Sequence, residues 1–478
     1  MNISKKFFRF SKPLVAIFFS LLITTSFAQK LDYDKKVGKE NAETVIQQMG
    51  VYDNKAMNDY ITSVGNRLVK ELDEPLFEYH FYLITNPEPN AFALPGGYIF
   101  ITTGLIPILQ TEDELACIIG HEIIHSNNRH SVKQRRKGIL PGILAIPGAI
   151  LGIVNDNLGA IFMSPSHLMI AGYSRKYETE ADVEGVALAI KAGYNPNALK
   201  DALTRMTSTI GLAIGSEEEK SYFSDHPYTP DRVTKIDKEI VGVDLKLSDP
   251  IKKEYAPVFD GVIFGTHPRN GITKDHAILN PTLNLHITFP KDWDLAVDAD
   301  RMMGVKKSQD AAIVFAEETE YNNPDSAAAA FLKNVPENQK KNVLKTTFKK
   351  QGQLERGVLI AMKENTKQGV TYAHILWVPY QGKMLKIVAM STKEQLTTLK
   401  EIVLGMRTLT ANEKSSIKIK YMSTSTANGS ENLTQLSKRT NNTLKMELLE
   451  SINDSKADVV LKKSEVVKVI NEKVFLVK

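Results

Sequence analysis

Cysteine is nearly absent: Cys117 is the only one in 478 residues, so no intrachain disulfide can hold this chain together. Charge of one sign is scarce too. The formal net charge is +5, and Lys5, Lys6, Arg9 and Lys12 supply most of it; without them the balance is +1. A nearly neutral body has no basic footprint, which excludes nucleic acid as a partner. Long apolar runs are missing as well. The longest, "GILPGILAIPGAILGIV" at 138–154, is short of the roughly 20 residues a spanning helix needs and is broken by two prolines and four glycines. It reads as a buried hairpin or a hydrophobic flap, with contact to a membrane surface as the competing reading. No repeat of solenoid type recurs.

What remains is ordinary globular material, 42% hydrophobic and 24% charged, in a chain long enough for two or three domains. Residues 1–28 differ: a basic start, the apolar run Leu14 to Ile23 and Ser26-Phe27-Ala28 read as a signal peptide cut after Ala28. The apolar run of about ten residues is too short to serve as an anchor. Export to the periplasm follows, with association at the outer membrane left open.

Residues 29–265 form the first expected domain. Val45, Ile46, Met49, Tyr60, Ile61, Val64 and Leu68 have helical spacing, Tyr79 to Thr85 alternates like a strand, and Tyr98 to Thr102 is β-rich. Thr111 then precedes Glu112-Asp113-Glu114, a capped helix start, and further helices follow at 173–193, 196–211 and 233–240. A linker at 266–276 leads to an α+β accessory domain at 277–410, with strands at 312–316, 356–362, 370–378 and 384–390 and helices at 324–332 and 393–406. Residues 411–478 open on a Ser/Thr/Asn-rich stretch, 412–430, that reads as loosely packed. A compact β-α-α-β module follows it. The fold class is therefore α+β: a mainly helical first domain with a small sheet, an α+β domain and a small terminal module.

The chemistry lies in "ACIIGHEIIHSNNRH", residues 116–130. His121 and His125 are four apart, so a helix projects both toward one ion, while Glu122 stands about 100° away. A solvated His-Glu-His stripe is disfavoured by the apolar Ile118, Ile119, Ile123 and Ile124 around it. Cys117, one turn earlier, reads as a small core residue. A catalytic zinc takes three protein ligands and keeps one vertex for water. Glu178, in "SRKYETEAD", is the third candidate; Asp182, one turn on, can accept from a ligand histidine. Glu180 falls on the wrong face for ligand or supporting roles and reads as solvent-exposed, Glu184 is a weaker candidate, and His130 reads as a C-terminal helix cap.

Taken together, "HEIIH", "SRKYETEAD", "NAFALPGGYIFITTGLI" and "DHPYTPDR" resemble the M48 zinc metallopeptidases, and within them the exported branch. The resemblance covers about residues 30–245. It implies one Zn2+ held by His121, His125 and Glu178, with Glu122 as general base on a zinc-bound water. His226 of the His-Pro segment would steady the oxyanion or sit on the open vertex, and Arg232 would tie that segment to the helix pair. Asn90, Ala91, Phe92 and Ala93 would form an edge strand to which an extended peptide adds. Residues 411–478 are LysM-like in outline, although Gly429-Ser430-Glu431 replaces the usual Gly-Asp-Thr. The implied function is an exported endopeptidase acting on misfolded or misassembled envelope polypeptides, with outer-membrane assembly machinery or peptidoglycan as further partners. The alternative is an envelope chaperone or assembly scaffold whose client binding outweighs hydrolysis.

Overall fold

The computed structural model describes residues 12–135, 173–214, 226, 230–240, 252–297, 301–335, 337, 340–366 and 369–477. The 138–154 run and the rest of the 138–170 cover expected over the site, together with residues 1–11 of the signal peptide, lie outside the described residues. Helix α1 (Lys12–Met49) contains the expected cleavage position. No described helix is long and apolar enough to cross a membrane.

Helix α2 (Lys55–Val69) starts where the Asn54 side chain accepts from the Met57 amide, and it buries Met57, Ile61, Val64 and Leu68 along one stripe. Strands β1 (His80–Ile84), β2 (Ala91–Leu94) and β3 (Tyr98–Thr102) form a sheet of order β1-β3-β2, parallel at β1/β3 and antiparallel at β2/β3. Gly97, at φ 94°, turns the β2–β3 hairpin where a Cβ would lie 2.2 Å from the Glu78 carbonyl oxygen.

The sheet packs on α3 (Glu112–Asn127), which is buried from Asp113 to Ser126. Thr111 caps it by accepting from the Glu114 amide, and three acids occupy its first turn. Around it lie α4 (His130–Arg135), α5 (Arg175–Lys191), α6 (Asn197–Ile214), α7 (Pro230–Ile240) and α8 (Lys252–Val258). Helices α3 and α5 meet glycine to glycine. A Cβ on Gly185 would stand 3.0 Å from the His121 backbone, and one on Gly120 would stand 3.2 Å from the Gly185 carbonyl oxygen. That close approach brings Glu178 within reach of the His121–His125 pair.

The second unit is built on strands. A small antiparallel sheet holds β4 (Ile272–Lys274), β5 (Ala277–Asn280) and β6 (Leu285–Thr288). Beside it stands an antiparallel sheet of order β10-β11-β12-β13-β9-β8-β7. Its members are β7 (Trp293–Val297), β8 (Arg301–Lys306), β9 (Ala311–Glu317), β10 (Val343–Phe348), β11 (Gly357–Thr366), β12 (Gly369–Tyr380) and β13 (Lys383–Ser391). Helix α9 (Pro324–Asn334), capped by Asn323, covers the face carrying Ile360, Ile375 and Trp377. Helix α10 (Leu396–Leu404) covers the opposite face at Leu376 and Ile387. The sequence pattern does not show β7, β8 or β10. Strand β10 is an edge strand whose inner residues are all exposed, so no alternation marks it.

The stretch 412–430 is not loosely packed. Thr410 and Glu413 form a reciprocal capping box for α11 (Ala411–Ser416), and β14 (Lys418–Thr426) follows with Ile419 and Met422 buried. Helices α12 (Leu433–Arg439) and α13 (Met446–Asn453) lead to β15 (Val466–Val474), antiparallel to β14. Residues 261–264 add main-chain bonds to the outer side of β14: Gly261 donates to Met422 at 2.7 Å and Phe264 to Lys420 at 2.9 Å. One hydrophobic cluster runs without a break from Ile61, Leu115 and Met206 through Tyr255 and Phe259 to Met422, Leu449, Ile452 and Val467. The chain's last segment thus shares a core with its first helices, and the strand-rich unit is inserted between them.

Candidate metal centre

Helix α3 presents His121 and His125 one turn apart, α5 contributes Glu178 from its first turn, and His226 enters just ahead of α7. One ligand atom from each of these four buried residues lies within 4.8 Å of all the others. The Nε2 atoms of His121 and His125 are 2.9 Å apart. His226 Nδ1 is 3.3 Å from His121 Nε2 and 3.1 Å from Glu178 Oε1. Glu178 Oε1 is 3.3 Å from His125 Nε2. Donors placed about 2.0–2.1 Å from one ion at tetrahedral angles stand roughly 3.3 Å apart, so this set fits zinc.

The electrostatics fit as well. Burial lowers the His121 imidazole, more than offsetting Asp182 and Glu178. Burial, seconded by His121, takes His125 well below its ordinary value. For Glu178 burial pushes upward, but His226, His125 and Arg232 together outweigh it and hold the carboxyl well below the usual range. Neutral imidazoles beside an ionised carboxylate are the protonation states a bound cation requires.

Outer contacts fix these side chains. His121 Nδ1 stands 3.0 Å from Asp182 Oδ1. Arg232 forks onto Asp182, with Nε donating to Oδ2 at 2.7 Å and Nη2 to Oδ1 at 2.8 Å. Its Nη1 donates to the His226 carbonyl at 3.2 Å and lies 3.0 Å from Glu178 Oε2. Burial alone would raise Asp182; the Arg232 charge and its hydrogen bonds bring it down to about 2. One guanidinium therefore links α7, the His226 segment and α5. Glu122 is fully buried on the same side, its Oε1 3.5 Å from His226 Nε2.

The other candidates are dispersed. Asn90, Ala91, Phe92 and Ala93 belong to the edge of the small sheet rather than to the cage. Their side chains are buried, and β2 touches α3 where Ser126 Oγ donates to the Leu94 carbonyl at 3.3 Å. Glu184 lies outside the cage and accepts from Asn128 Nδ2 at 2.8 Å. Cys117 is a buried core residue. His130 is no helix cap: it is fully buried, its Nδ1 3.0 Å from His125 Nδ1. Glu180 is not set loose in solvent, since it accepts from Asn128 Nδ2 at 3.0 Å and its Oε1 lies 3.4 Å from His130 Nε2. His130 shows no helical spacing to the ligands because the chain reverses at Arg129, φ 58°, and Glu180, two residues past Glu178 on α5, is off the face that Glu178 and Asp182 share. Tyr173, which stacks on His125 with centroids 3.9 Å apart, lies 48 positions away, beyond any local signal.

The sequence model of peptidase family M48 matches residues 55–240, the segment that builds this cage. Residues 55–240 form a peptidase family M48 domain. Among curated relatives, the M48 segment is similar to the mitochondrial metalloendopeptidase OMA1 of Schizosaccharomyces pombe, 28% identical over 226 residues, 45% of this chain and 64% of that protein. The beta-barrel assembly-enhancing protease of Yersinia pestis is 29% identical over 164 residues, 33% of this chain and 34% of that protein. The Escherichia coli K12 protein of the same name is 27% identical over 188 residues, 37% of each chain. The chain thus spans between about a third and two thirds of these relatives' lengths. M48 metallopeptidases are zinc-dependent, and in this M48 domain the His-His-Glu-His group could hold that ion.

Proposed function

We propose that this chain is an exported zinc endopeptidase that hydrolyses peptide bonds in misfolded or misassembled envelope polypeptides. The observation that carries the reading is the buried cage of His121, His125, Glu178 and His226 with the Glu122 carboxylate beside it. A bound zinc ion lowers the pKa of its water to about 7 and polarises the scissile carbonyl. Glu122 takes the attacking water's proton and returns it to the departing amine, the role its position beside the histidine pair supports. His121, His125 and Glu178 hold the ion; Asp182 fixes the ring of His121, and Arg232 in turn fixes Asp182. His226, whose Nδ1 faces the other three donors, would offer the ion a fourth donor and yield that place to an entering client, which would restrain hydrolysis until substrate is present.

Substrate reading through β2 suits such clients. With the side chains of Ala91, Phe92 and Ala93 turned into the core, an added peptide strand would be recognised by its main chain and with little sequence preference. Export rests on the signal-like start. The β-α-α-β segment is read as LysM-like, and the names of the assembly-enhancing relatives are consistent with clients at the outer membrane.

Zinc content and casein digestion of the mature protein, wild type against Glu122→Gln, test the proposal. One equivalent of zinc in both and cleavage in the wild type alone support it. A cleaving Glu122→Gln protein, or a wild type without zinc, overturns it, and a cellular phenotype that survives Glu122→Gln moves the weight to a client-binding role.

A further inference from the structure

The two histidines of α3 are backed differently. His121 Nδ1 meets a carboxylate, Asp182 Oδ1, at 3.0 Å. His125 Nδ1 meets an imidazole: His130 Nδ1, at 3.0 Å, with the rings edge to face at 81° and centroids 5.0 Å apart. The left-handed backbone of Arg129 permits this, because it turns the chain sharply out of α3 and folds α4 back under His125. His130 is pinned there from two further sides. Tyr177 of α5 stacks on its ring, with centroids 4.5 Å apart and planes 17° from parallel. Glu180 Oε1 faces its other nitrogen at 3.4 Å, and Asn128 Nδ2 holds that carboxylate at 3.0 Å.

We infer that His130 is the positioning residue of His125: a neutral imidazole that accepts the His125 Nδ1 hydrogen and passes the polarity on to Glu180. The reasoning rests on the metal assignment above, since a ligand imidazole that binds through Nε2 must carry its hydrogen on Nδ1. Two facing Nδ1 atoms cannot both carry hydrogen, so His130 Nδ1 accepts and the His130 hydrogen sits on Nε2, the nitrogen turned toward Glu180. Donation then runs one way, from His125 to His130 to Glu180. The cage has one imidazole made more basic by a carboxylate and one held by a neutral acceptor, and each ring is fixed in rotation by a partner outside the cage.

The test uses two substitutions at one position in the full mature chain. In His130→Asn the amide Oδ1 stands at the same δ position as the imidazole Nδ1, so an acceptor for His125 survives while the link to Glu180 is lost. In His130→Leu the volume is kept and the acceptor removed. Zinc affinity is read by competition with a chromophoric chelator, and the folding of each metal-free protein is checked by circular dichroism. His130→Leu is expected to bind zinc about 10–100-fold more weakly than wild type, with His130→Asn recovering most of that loss. Equal affinity in His130→Leu and wild type, or an equal loss in both variants, overturns the inference and leaves His130 a packing residue. Should His130→Leu fail to fold, nitrogen-15 spectra of the zinc-loaded wild type decide: a His130 protonated at Nδ1 refutes the direction of donation, and one protonated at Nε2 supports it. A wild type that binds no zinc would instead sink the metal assignment itself, a separate outcome.

Discussion

Lys468 offers the sharpest test of the shared core. It lies on β15, near the end of the chain, and its side chain is 1% exposed. Its Nζ donates at 2.7 Å to the carbonyls of Pro107 and Leu109, in the loop that feeds α3. Beside it Arg205 Nη1 donates to Glu114 Oε2 at 2.6 Å, joining α6 to the first turn of α3. Burial takes the Lys468 amine well below the ordinary lysine range, with Glu114 opposing. Two carbonyls accept its hydrogens. Lys468→Met keeps the length and apolar stem but orphans both acceptors, at about 1–3 kcal/mol each. Relief of the amine's own desolvation offsets part of this. The expected net loss is about 2–4 kcal/mol, a fall in Tm of roughly 5–10 °C for a unit of this size. The sign with pH follows from the lowered amine. Below its unfolded value of 10.5 the unfolded chain binds a proton that folding must release, so wild-type stability rises with pH through that window. The gap between wild type and Lys468→Met therefore widens as the pH rises from the lowered folded value toward 10.5. Calorimetry of both proteins across that range measures it. A variant within about 0.5 kcal/mol of wild type, or one in which α3 and the cage melt unchanged while the last 60 or so residues loosen, would refute the single-core reasoning.

Gly185→Ala should push α5 off α3, costing about 1–3 kcal/mol and weakening zinc binding, because the new methyl meets backbone rather than a movable side chain; thermal melting and metal content of the purified variant check it. Arg232→Met leaves Asp182 and Glu178 buried without their guanidinium, with an expected loss of about 3–5 kcal/mol, read from urea unfolding. Stripping the ion with a chelator should end casein cleavage and lower stability by about 4 kcal/mol relative to a solution holding zinc at 1,000 times its Kd; an unchanged melting curve would count against a site built by this cage. Gly304→Ala would drive a methyl to 2.3 Å from the Phe289 ring and should destabilise the inserted sheet while sparing zinc binding, since the two lie in different cores.

Much of this was legible without coordinates because its signals are local. The spacing of His121, Glu122 and His125 needs only a helix, and Thr111 with its following acids marks where that helix starts. The β-rich run Tyr98 to Thr102 is β3 residue for residue. Other features had no local signal to give. Strand β10 pairs at an edge and exposes its side chains, so its sequence carries no alternation. The polar 412–430 stretch looks loose because only a few of its residues, Ile417, Ile419 and Met422 among them, enter the core.

By itself the sequence pointed to the chemical identity of the donors, since two imidazoles four residues apart, His121 and His125, and two carboxylates four apart, Glu178 and Asp182, each share a face under the 3.6-residue turn. Only the tertiary structure decided which residues stand behind them. Asp182 behind His121, and His130 with Glu180 behind His125, are set by the Gly120–Gly185 crossing and by the reversal at Arg129. Those are contacts between helices, and a helical period says which face a residue is on but not what another helix will press against it. The same holds for Lys468: its two carbonyl partners lie about 360 positions earlier, a pairing fixed by how the chain's ends share one core.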